Sequence, residues 1–96
     1  MVGSVCVSLL EGENLIGRDP DCIVRVDLPS ISRRHSRIVV SGLDATIEDL
    51  GSRNGTSLGD QPVTRPTALR DTDQIRVGGA TLTFHVSTKS APRETL

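Results

Sequence analysis

The chain of 96 residues has almost no aromatic side chains, since Phe84 is the only one and Trp and Tyr are absent. Proteins that stack nucleic-acid bases, enclose methylated ammonium groups or bind polyproline segments need several aromatic rings. An excess of charge of either sign is also missing, because 11 basic residues stand against 12 acidic ones. A nearly neutral protein has no overall field that attracts nucleic acid or an anionic membrane. The two absences argue against a nucleic-acid or membrane-surface binder.

Long hydrophobic runs are missing too. No stretch approaches the roughly 20 apolar residues of a membrane-spanning helix, and the first residues do not form a basic and then apolar secretion signal. The two cysteines, Cys6 and Cys22, do not form a Cys-x-x-Cys pair. We therefore expect a soluble, cytoplasmic protein whose thiols stay reduced and serve as small packing residues.

Lysine is rare, because Lys89 is the single lysine among the 11 basic residues and the others are arginines. The planar guanidinium group forms paired hydrogen bonds with phosphate and carboxylate, which the lysine ammonium does not. This preference is consistent with recognition of an oxyanion. A genome-wide codon bias toward arginine is an equally simple explanation.

The apolar residues that are present recur with a period of two, and no segment keeps the spacing of an amphipathic helix. The pattern predicts an all-β chain of short strands bounded by Gly, Pro, Asp, Asn or Ser. Alternation is clearest near the end, where Leu82, Phe84 and Val86 are predicted to share one buried face. The predicted strands are Val5–Leu10, Asn14–Gly17, Ile23–Val26, His35–Ser41, Ala45–Asp49, Gln74–Val77 and Thr81–Val86.

Three segments between these strands have the composition of tight turns, namely Ser41–Asp44, Gly59-Asp60 and Gly78-Gly79. A sheet with one apolar face needs a second sheet to cover it. We therefore predict a sandwich of two antiparallel sheets over residues 1–86, with ligand-binding loops at one end. Residues 87–96 lack alternation, and we expect a flexible tail or linker there.

Three polar clusters interrupt the predicted strands, and all of them fall in loops. They are Gly17-Arg18-Asp19, Ser30–His35 and Gly51–Thr56. Function is expected there, because a sandwich holds its strands rigid and leaves its loops free to vary. Glycines let a backbone approach a ligand and expose N–H donors, and an Asn side chain matches the C=O and N–H of a peptide bond. These groups together suit an oxyanion carried on an extended peptide.

In this order the clusters resemble the forkhead-associated (FHA) domain family, whose members are β-sandwiches that bind phosphothreonine. The family pattern is Gly-Arg after an early strand, then Ser-x-x-His, then Asn-Gly, then two strands joined by a glycine-rich turn. The matching segments are Gly17-Arg18, Ser32–His35, Asn54–Thr56 and the hairpin over 73–86. Each piece alone is common, but the combination is specific and covers about Ile16 to Val86. The region before Glu11 is short for the family's first strand, which we expect to be truncated or irregular.

The resemblance implies roles for individual residues. Arg18 and the Ser32 hydroxyl would contact the phosphate, and the main-chain N–H of Arg33 would be a further donor. Asn54 would hold the main chain of the peptide beside the phosphothreonine.

Other positions are implied to act at the edge of the site or behind it. Ser30 and Arg53 lie where the family varies, and both are candidates for contacts to flanking residues of the ligand or to its phosphate. Gly17 and Gly55 would shape the loops. His35 would brace the loop of Ser32 from behind without touching the ligand.

The function implied is that of a noncatalytic module that binds phosphothreonine in kinase signalling, without cofactor or metal. Its partner would be a phosphothreonine-containing protein, with a Ser/Thr kinase acting upstream and with no direct contact to nucleic acid or membrane. Domains of this family commonly belong to longer chains, so we expect a fragment of a larger protein.

Three other interpretations use the same residues. Ser32, His35 and Asp49 could be nucleophile, base and orienting acid of a hydrolase, although no Gly-x-Ser-x-Gly turn surrounds Ser32. Separately, the small basic run of Arg33, Arg34 and Arg37 could contact nucleic-acid phosphates, although no stacking residues accompany it.

The third alternative is a zinc site. Cys6, Cys22, His35 and His85 have suitable ligand types but lack the paired spacing of known zinc motifs. A lone histidine is more often a hydrogen-bonded structural residue. The acidic segment Asp19–Asp21 is expected to be a turn rather than a metal loop.

Overall fold

The computed structural model describes residues 7–86, which form nine strands. None of these residues belongs to a helix long and apolar enough to cross a membrane. The strands are β1 (Gly12–Gly17), β2 (Val24–Arg25), β3 (Ser36–Ser41), β4 (Asp44–Asp49), β5 (Thr56–Leu58), β6 (Gln61–Pro62), β7 (Thr67–Ala68), β8 (Gln74–Val77) and β9 (Ala80–Thr83).

The strands form two sheets, as the alternation predicts. The first has the order β2-β1-β3-β4-β7 and the second the order β6-β5-β8-β9. The predicted two-sheet, all-β architecture is confirmed, with one difference in strand direction. The β1 and β2 strands are parallel, whereas the other pairs are antiparallel. The chain turns after β1, where the Cys22 N–H donates to the Asp19 carbonyl at 3.0 Å. The following strand, β2, then runs in the same direction as β1.

The core lies between the sheets and is filled by β-branched side chains in place of aromatic ones. Ile16, Ile38 and Ile47 come from the first sheet, and Ile75 and Val77 from the second. Burial of each such side chain contributes about 1.5–3 kcal/mol. The lone Phe84 is only partly buried at the margin of this core.

The three turns expected from composition are confirmed as two-residue hairpins. They join Ser41 to Asp44, Leu58 to Gln61 and Val77 to Ala80. In each of them a glycine with positive φ is the first of the two turn residues, which is the type II′ pattern whose twist suits a hairpin.

Some predicted strands differ from the observed ones. The predicted strand Val5–Leu10 is wrong over residues 7–10, which form no strand, and its first two residues lie outside the described range, as do residues 87–96. Val7 and Leu10 are exposed there, so the apolar pattern did not mark a core-facing strand. The last predicted strand ends at Thr83 instead of Val86. Strands β5, β6 and β7 were not predicted, because two or three residues are too few to show alternation.

Loops from both sheets meet at one place. The group consists of the β1–β2 loop (18–23), the β2–β3 loop (26–35), the β4–β5 loop (50–55) and the β8–β9 turn (78–79). Main-chain N–H groups of Arg18, Arg53 and Gly79 donate to the β2–β3 loop. The three polar clusters of the sequence lie in the first three of these loops.

Candidate functional site

The β2–β3 loop is the centre of the site, and its own apolar residue anchors it. Ile31 is 1% exposed and packs in the core, so the flanking serines are held at the surface. The Ile31 N–H donates to the Leu28 carbonyl at 3.0 Å, which closes a turn that contains Ser30. On the other side, the Ser32 carbonyl accepts from the Arg18 N–H at 3.0 Å. The loop therefore has a fixed conformation relative to β1.

The Ser32 hydroxyl is oriented as a donor toward solvent. Its Oγ accepts a hydrogen bond from the Arg53 main-chain N–H at 3.0 Å. A hydroxyl has one proton and two acceptor lone pairs. Because the protein already supplies a donor to Ser32, the hydroxyl proton remains available for an acceptor on a ligand.

Ser30 and Asn54 are arranged in the same way. The Ser30 Oγ accepts from the Gly79 N–H at 2.9 Å, which leaves the hydroxyl proton free. The Asn54 side-chain amide donates through Nδ2 to the Ser30 carbonyl at 2.7 Å. This bond fixes the amide and leaves its Oδ1 as an acceptor for an N–H group. Asn54 is exposed, so a peptide can reach it.

The close packing of Ser30 on the β8–β9 turn depends on a glycine. Gly78 has φ +52, and a Cβ at this position would lie 2.5 Å from the Ser30 carbonyl oxygen. Any side chain there would push the β2–β3 loop away from the turn. Gly17 has a similar role at the other side, where a Cβ would overlap the Arg33 carbonyl oxygen.

His35 lies beneath the loop and is fully buried. Its Nδ1 accepts from the Ser32 N–H at 3.1 Å, and its Nε2 lies 2.7 Å from the Gly55 carbonyl oxygen. A ring nitrogen that accepts carries no proton, so the proton of the neutral ring is on Nε2, where it donates to Gly55. The imidazole thus connects the loop of Ser32 to the loop of Asn54 and Gly55.

A half-buried network of hydroxyls and one carboxylate holds the β4–β5 loop. Asp49 accepts from the Ser52 N–H at 2.9 Å, from the Ser52 hydroxyl at 2.5 Å and from the Thr56 hydroxyl at 2.6 Å. Thr56 has a single proton and gives it to Asp49, so Ser36 must donate in the 2.7 Å bond between Ser36 and Thr56. Burial acts to raise the pKa of Asp49, but the hydrogen bonds from Ser52 and Thr56 hold it below its ordinary value.

The donors of these loops surround a pocket of about 190 Å³. Its lining residues are Arg18, Pro29, Ser30, Ile31, Ser32, Arg33 and Arg53. No carboxylate is among them, and none of the three arginines forms a salt bridge with another described residue. The pocket therefore has a surplus of positive charge that the protein itself does not neutralise.

Two of the groups at this pocket are prepared for an anion. The Arg18 Nε donates to the Ile31 carbonyl at 3.0 Å, which orients the guanidinium group and leaves its terminal nitrogens free. The Arg33 main-chain N–H has no acceptor within residues 7–86. Oriented guanidinium, hydroxyl and main-chain N–H donors are the groups that bind a phosphate or carboxylate.

Comparison with known proteins gives the family. The model of the FHA domain matches residues 14–78, which include the loops of the pocket. The chain belongs to the FHA domain family. FhaA of Mycobacterium tuberculosis, an FHA domain-containing protein, is 43% identical over 70 residues, which are 73% of this chain and 13% of FhaA. The glycogen accumulation regulator GarA of Mycolicibacterium smegmatis is 34% identical over 77% of this chain and 46% of GarA. This FHA domain thus spans less than half the length of these relatives.

Solved structures give the same result. A structure from a study of phosphothreonine-dependent FHA domain interactions superimposes with a TM-score of 0.78 at 38% identity, covering 82% of this chain and 81% of the other. The FhaA FHA domain in complex with the intracellular domain of Rv3910 gives a TM-score of 0.73 at 40% identity, covering 77% and 80%. The FHA fold follows from these comparisons.

The geometry does not support the hydrolase interpretation. His35 uses Nδ1 for the Ser32 N–H and Nε2 for the Gly55 carbonyl, so neither ring nitrogen is available to the Ser32 hydroxyl. Asp49 is bonded to Ser52 and Thr56 and does not orient the imidazole through a hydrogen bond.

The zinc interpretation also lacks a grouped set of ligands. Within residues 7–86, no three His, Cys, Asp or Glu side chains are arranged to hold a metal ion, and Cys6 lies outside this range. Burial and then the charge of Asp19 raise the pKa of the Cys22 thiol, and its Sγ donates to the Arg33 carbonyl at 3.3 Å. Cys22 therefore supports the loop of Arg33 from behind.

Two of the three arginines in the basic run that suggested nucleic-acid contacts have carboxylates nearby. Arg34 lies 3.7 Å from Asp21, and Arg37 lies 2.5 Å from Glu13 and 2.8 Å from Glu48. The hydrogen bonds that Arg37 donates to Glu48 and Glu13 raise its pKa further above the usual value. Of this run, only Arg33 is left for the pocket.

Sequence reasoning missed several residues that shape the site. The Asp49, Ser52 and Thr56 network was not predicted, although an Asp three residues before a Ser is a spacing typical of side-chain capped turns. The contact of Ser30 with the β8–β9 turn, through Gly78 and Gly79, joins residues 48 or more positions apart. It has no local signal in the sequence.

Proposed function

We propose that this FHA domain binds an extended peptide through a phosphothreonine, and that the 190 Å³ pocket receives the phosphate. The observation that carries the proposal is the composition of this pocket, which is lined by three arginines and two serines. None of the three arginines has a carboxylate partner among the described residues. A phosphate carries about −1.5 to −2 charge at neutral pH and three acceptor oxygens. Both its charge and its number of acceptors match the donors of this pocket.

Three groups would contact the phosphate directly. Arg18 supplies the terminal nitrogens of an oriented guanidinium, Ser32 supplies a free hydroxyl proton, and Arg33 supplies a main-chain N–H. Charge-assisted hydrogen bonds contribute roughly 1.5–3 kcal/mol each. Three of them supply roughly 4.5–9 kcal/mol, so after the cost of ordering the peptide we expect an affinity no tighter than micromolar, about −8 kcal/mol.

The remaining residues would hold the peptide or support the site. Asn54 would accept a peptide N–H through Oδ1, because its Nδ2 is held by the Ser30 carbonyl. Ser30 and Arg53 line the pocket and are proposed to contact flanking residues of the ligand. Gly17, Gly55 and His35 would act through the loops that they shape and not through the ligand.

We further propose that the domain is a binding module without catalytic activity. Both nitrogens of His35 are occupied, so the site has no free base next to the Ser32 hydroxyl. A Ser/Thr kinase would produce the ligand, and we place the domain in the cytoplasm, where such kinases act. The partner would be a phosphorylated protein rather than nucleic acid or membrane, since 11 basic residues are balanced by 12 acidic ones and Phe84 is the only aromatic residue of the sequence.

Fluorescence anisotropy with one peptide in four forms tests the proposal, carrying Thr, phosphothreonine, phosphoserine or Glu at the central position. We expect micromolar binding of the phosphothreonine form and no measurable binding of the Thr form. The phosphoserine form should bind more weakly, because the lost methyl removes about 0.8 kcal/mol of burial. Equal binding of the Thr and phosphothreonine forms would refute the proposal. Mass spectrometry of the recovered peptide checks the noncatalytic part, because the phosphate should remain attached.

A further inference from the structure

A second concave site adjoins the proposed phosphate pocket, and the two share Arg18 and Arg33. It has a volume of about 310 Å³ and is lined by Arg18, Asp19, Pro20, Arg25, Asp27 and Arg33. Its distinctive residue is Arg25 of β2, which does not line the phosphate pocket. The second site therefore adjoins the part of the phosphate pocket that Arg18 and Arg33 line, whereas Arg53 lines only the phosphate pocket.

Arg25 is held in position but its charge is hardly compensated. Its Nε donates to the Arg18 carbonyl at 3.0 Å, so its guanidinium group stays next to the residue that both sites share. Its only carboxylate neighbour within the described residues is Asp27, at 4.0 Å, and both side chains are largely exposed, at 49% and 72%. An exposed pair at this distance is weak, because water and salt screen it. A stronger anion can therefore displace Asp27 from Arg25.

The second carboxylate of this site is already engaged. The Asp19 Oδ1 accepts from the Asp21 main-chain N–H at 3.0 Å, which is a local turn contact. Asp19 forms no salt bridge with any of the three arginines in the described part of the chain. The three guanidinium groups of the site therefore outnumber its two carboxylates, and only Asp27 is paired with one of them.

We infer that this second site is an anion subsite, in which Arg25, together with Arg18 and Arg33, binds a second negatively charged side chain of the same peptide. The inference rests on the proposed function, since the first anion is the phosphothreonine. An extended peptide advances about 3.3 Å per residue, so a neighbouring pocket corresponds to a side chain roughly two to four positions away. The ligand chemistry is an exposed anion, which a second phosphorylated residue or an Asp or Glu can supply.

The test is a positional scan by fluorescence anisotropy at fixed salt. The parent peptide has one phosphothreonine and neutral flanking residues. In each variant peptide, one position within about four residues on either side carries Glu, phosphothreonine or neutral Gln. We expect a gain of about fivefold in affinity over the Gln peptide, the size of one exposed ion pair, on one side of the phosphothreonine only. A gain with phosphothreonine alone identifies a phosphate subsite, and a gain with both anions identifies a general anion subsite.

Protein variants then assign the gain to Arg25. Arg25→Gln should remove it and change the affinity for the parent peptide by less than about twofold, whereas Asp27→Asn should preserve or increase it. Arg65→Gln is the control, because it removes the same charge from an exposed residue that lines neither site. Circular dichroism of each variant verifies that the fold is retained.

The outcomes separate this inference from the proposed function. If the parent peptide binds and no position gives a gain, the subsite is refuted and the proposed function stands. The subsite is also refuted if Arg25→Gln weakens the parent peptide as much as the doubly charged one, since Arg25 would then serve the first phosphate. If the parent peptide does not bind wild-type protein, the proposed function fails and this inference fails with it.

Discussion

The Nδ1 atom of His35 accepts a hydrogen bond from the Ser32 main-chain N–H at 3.1 Å, so a fully buried ring holds the central loop of the site from beneath. The same ring donates to the Gly55 carbonyl at 2.7 Å. Two loops that are 20 residues apart in sequence therefore share one buried side chain. The position of the Ser32 hydroxyl depends on a residue that no ligand reaches.

Replacing His35 should lower stability first and binding second. In His35→Ala, a buried N–H and a carbonyl lose their partners and a cavity forms, so the free energy of unfolding should fall by about 2–4 kcal/mol. Chemical denaturation measures this change. The control is His85→Ala, because His85 is exposed and lies 3.8 Å from Asp71, and its loss should cost less than about 0.5 kcal/mol. A His35→Ala protein that is as stable as wild type but does not bind would show that His35 touches the ligand.

Two glycines with similar backbone angles provide a test of loop docking. Gly78 has φ +52 and Gly59 has φ +56, but only at Gly78 would a Cβ meet other atoms, those of the β2–β3 loop. Gly59→Ala should cost about 1 kcal/mol of stability from backbone strain and leave phosphopeptide affinity unchanged. Gly78→Ala should cost more and also weaken binding, because it displaces Ser30. Equal effects of the two substitutions on affinity would contradict this role of the β8–β9 turn.

Arg18→Ala should reduce phosphopeptide affinity strongly without affecting the fold. The loss should be roughly 2–5 kcal/mol, because a doubly charged ligand loses its oriented cationic partner. Isothermal titration calorimetry gives the affinity, and thermal unfolding without ligand should show a cooperative transition whose midpoint is lowered by no more than about 4–8 °C, because only the hydrogen bond to the Ile31 carbonyl is lost. Arg70→Ala is the matched control, since Arg70 is exposed and lines neither concave site. Equal losses for both variants would indicate a general charge effect.

A glutamate should not replace the phosphothreonine of the ligand. A carboxylate has one charge and two coplanar oxygens, so it leaves at least one donor among Arg18, Ser32 and Arg33 unpaired. We expect the Glu peptide to lose nearly all binding, and we expect the phosphopeptide to bind more weakly as pH falls through the second phosphate pKa of about 6. Titrations of both peptides at fixed salt measure this. A Glu peptide within about threefold of the phosphopeptide, 0.6 kcal/mol, would reveal a generic site for acidic peptides.

Asp49 should contribute to stability in a pH-dependent way. Its pKa in the folded protein lies below the ordinary value of 3.8, despite burial, because Ser52 and Thr56 donate to the carboxylate. The stabilisation is complete above the unfolded pKa and is lost as pH falls through the folded pKa. Asp49→Asn should therefore be less stable than wild type at pH 7, and the difference should shrink below about pH 4.

Urea denaturation between neutral and acidic pH measures the effect of Asp49. Asp60→Asn serves as the control, because Asp60 is an exposed turn residue with no hydrogen-bonded partner among residues 7–86. A constant difference between wild type and Asp49→Asn at all pH values would show that geometry, and not ionisation, is responsible.

The sequence was most informative where a local pattern corresponds to a local structure. The turns at Gly42, Gly59 and Gly78 were predictable, because a two-residue hairpin requires a residue that tolerates positive φ. Two-residue strands such as β6 and β7 were not predictable, because they exist only through pairing with a neighbour. The incorrect strand near the start shows the converse, since the apolar residues Val7 and Leu10 do not face the core.

The residues of the site, too, can be divided into those that a local sequence pattern predicted and those that it did not. The loops of Arg18, Ser32 and Asn54 could be identified from their residue types and from their order in the chain. The contacts that orient these side chains could not, because Ser30 meets Gly79 across 49 residues and Ser32 meets Arg53 across 21. Contacts between residues so far apart in sequence depend on the order of the strands in the two sheets. Arg25 was also overlooked, since its place beside Arg18 follows from the unexpected parallel pairing of β1 and β2.

The hydrogen bond from Gly79 to Ser30 joins a turn of the second sheet to a loop that enters the first. Because this turn of the second sheet positions Ser30, the proposed donors of the pocket are all in place only when the two sheets are packed against each other. Affinity therefore reports on the packing of the interior. A core substitution that lets the sheets separate slightly, such as Ile75→Val, would lower the affinity for a peptide that residue 75 does not contact.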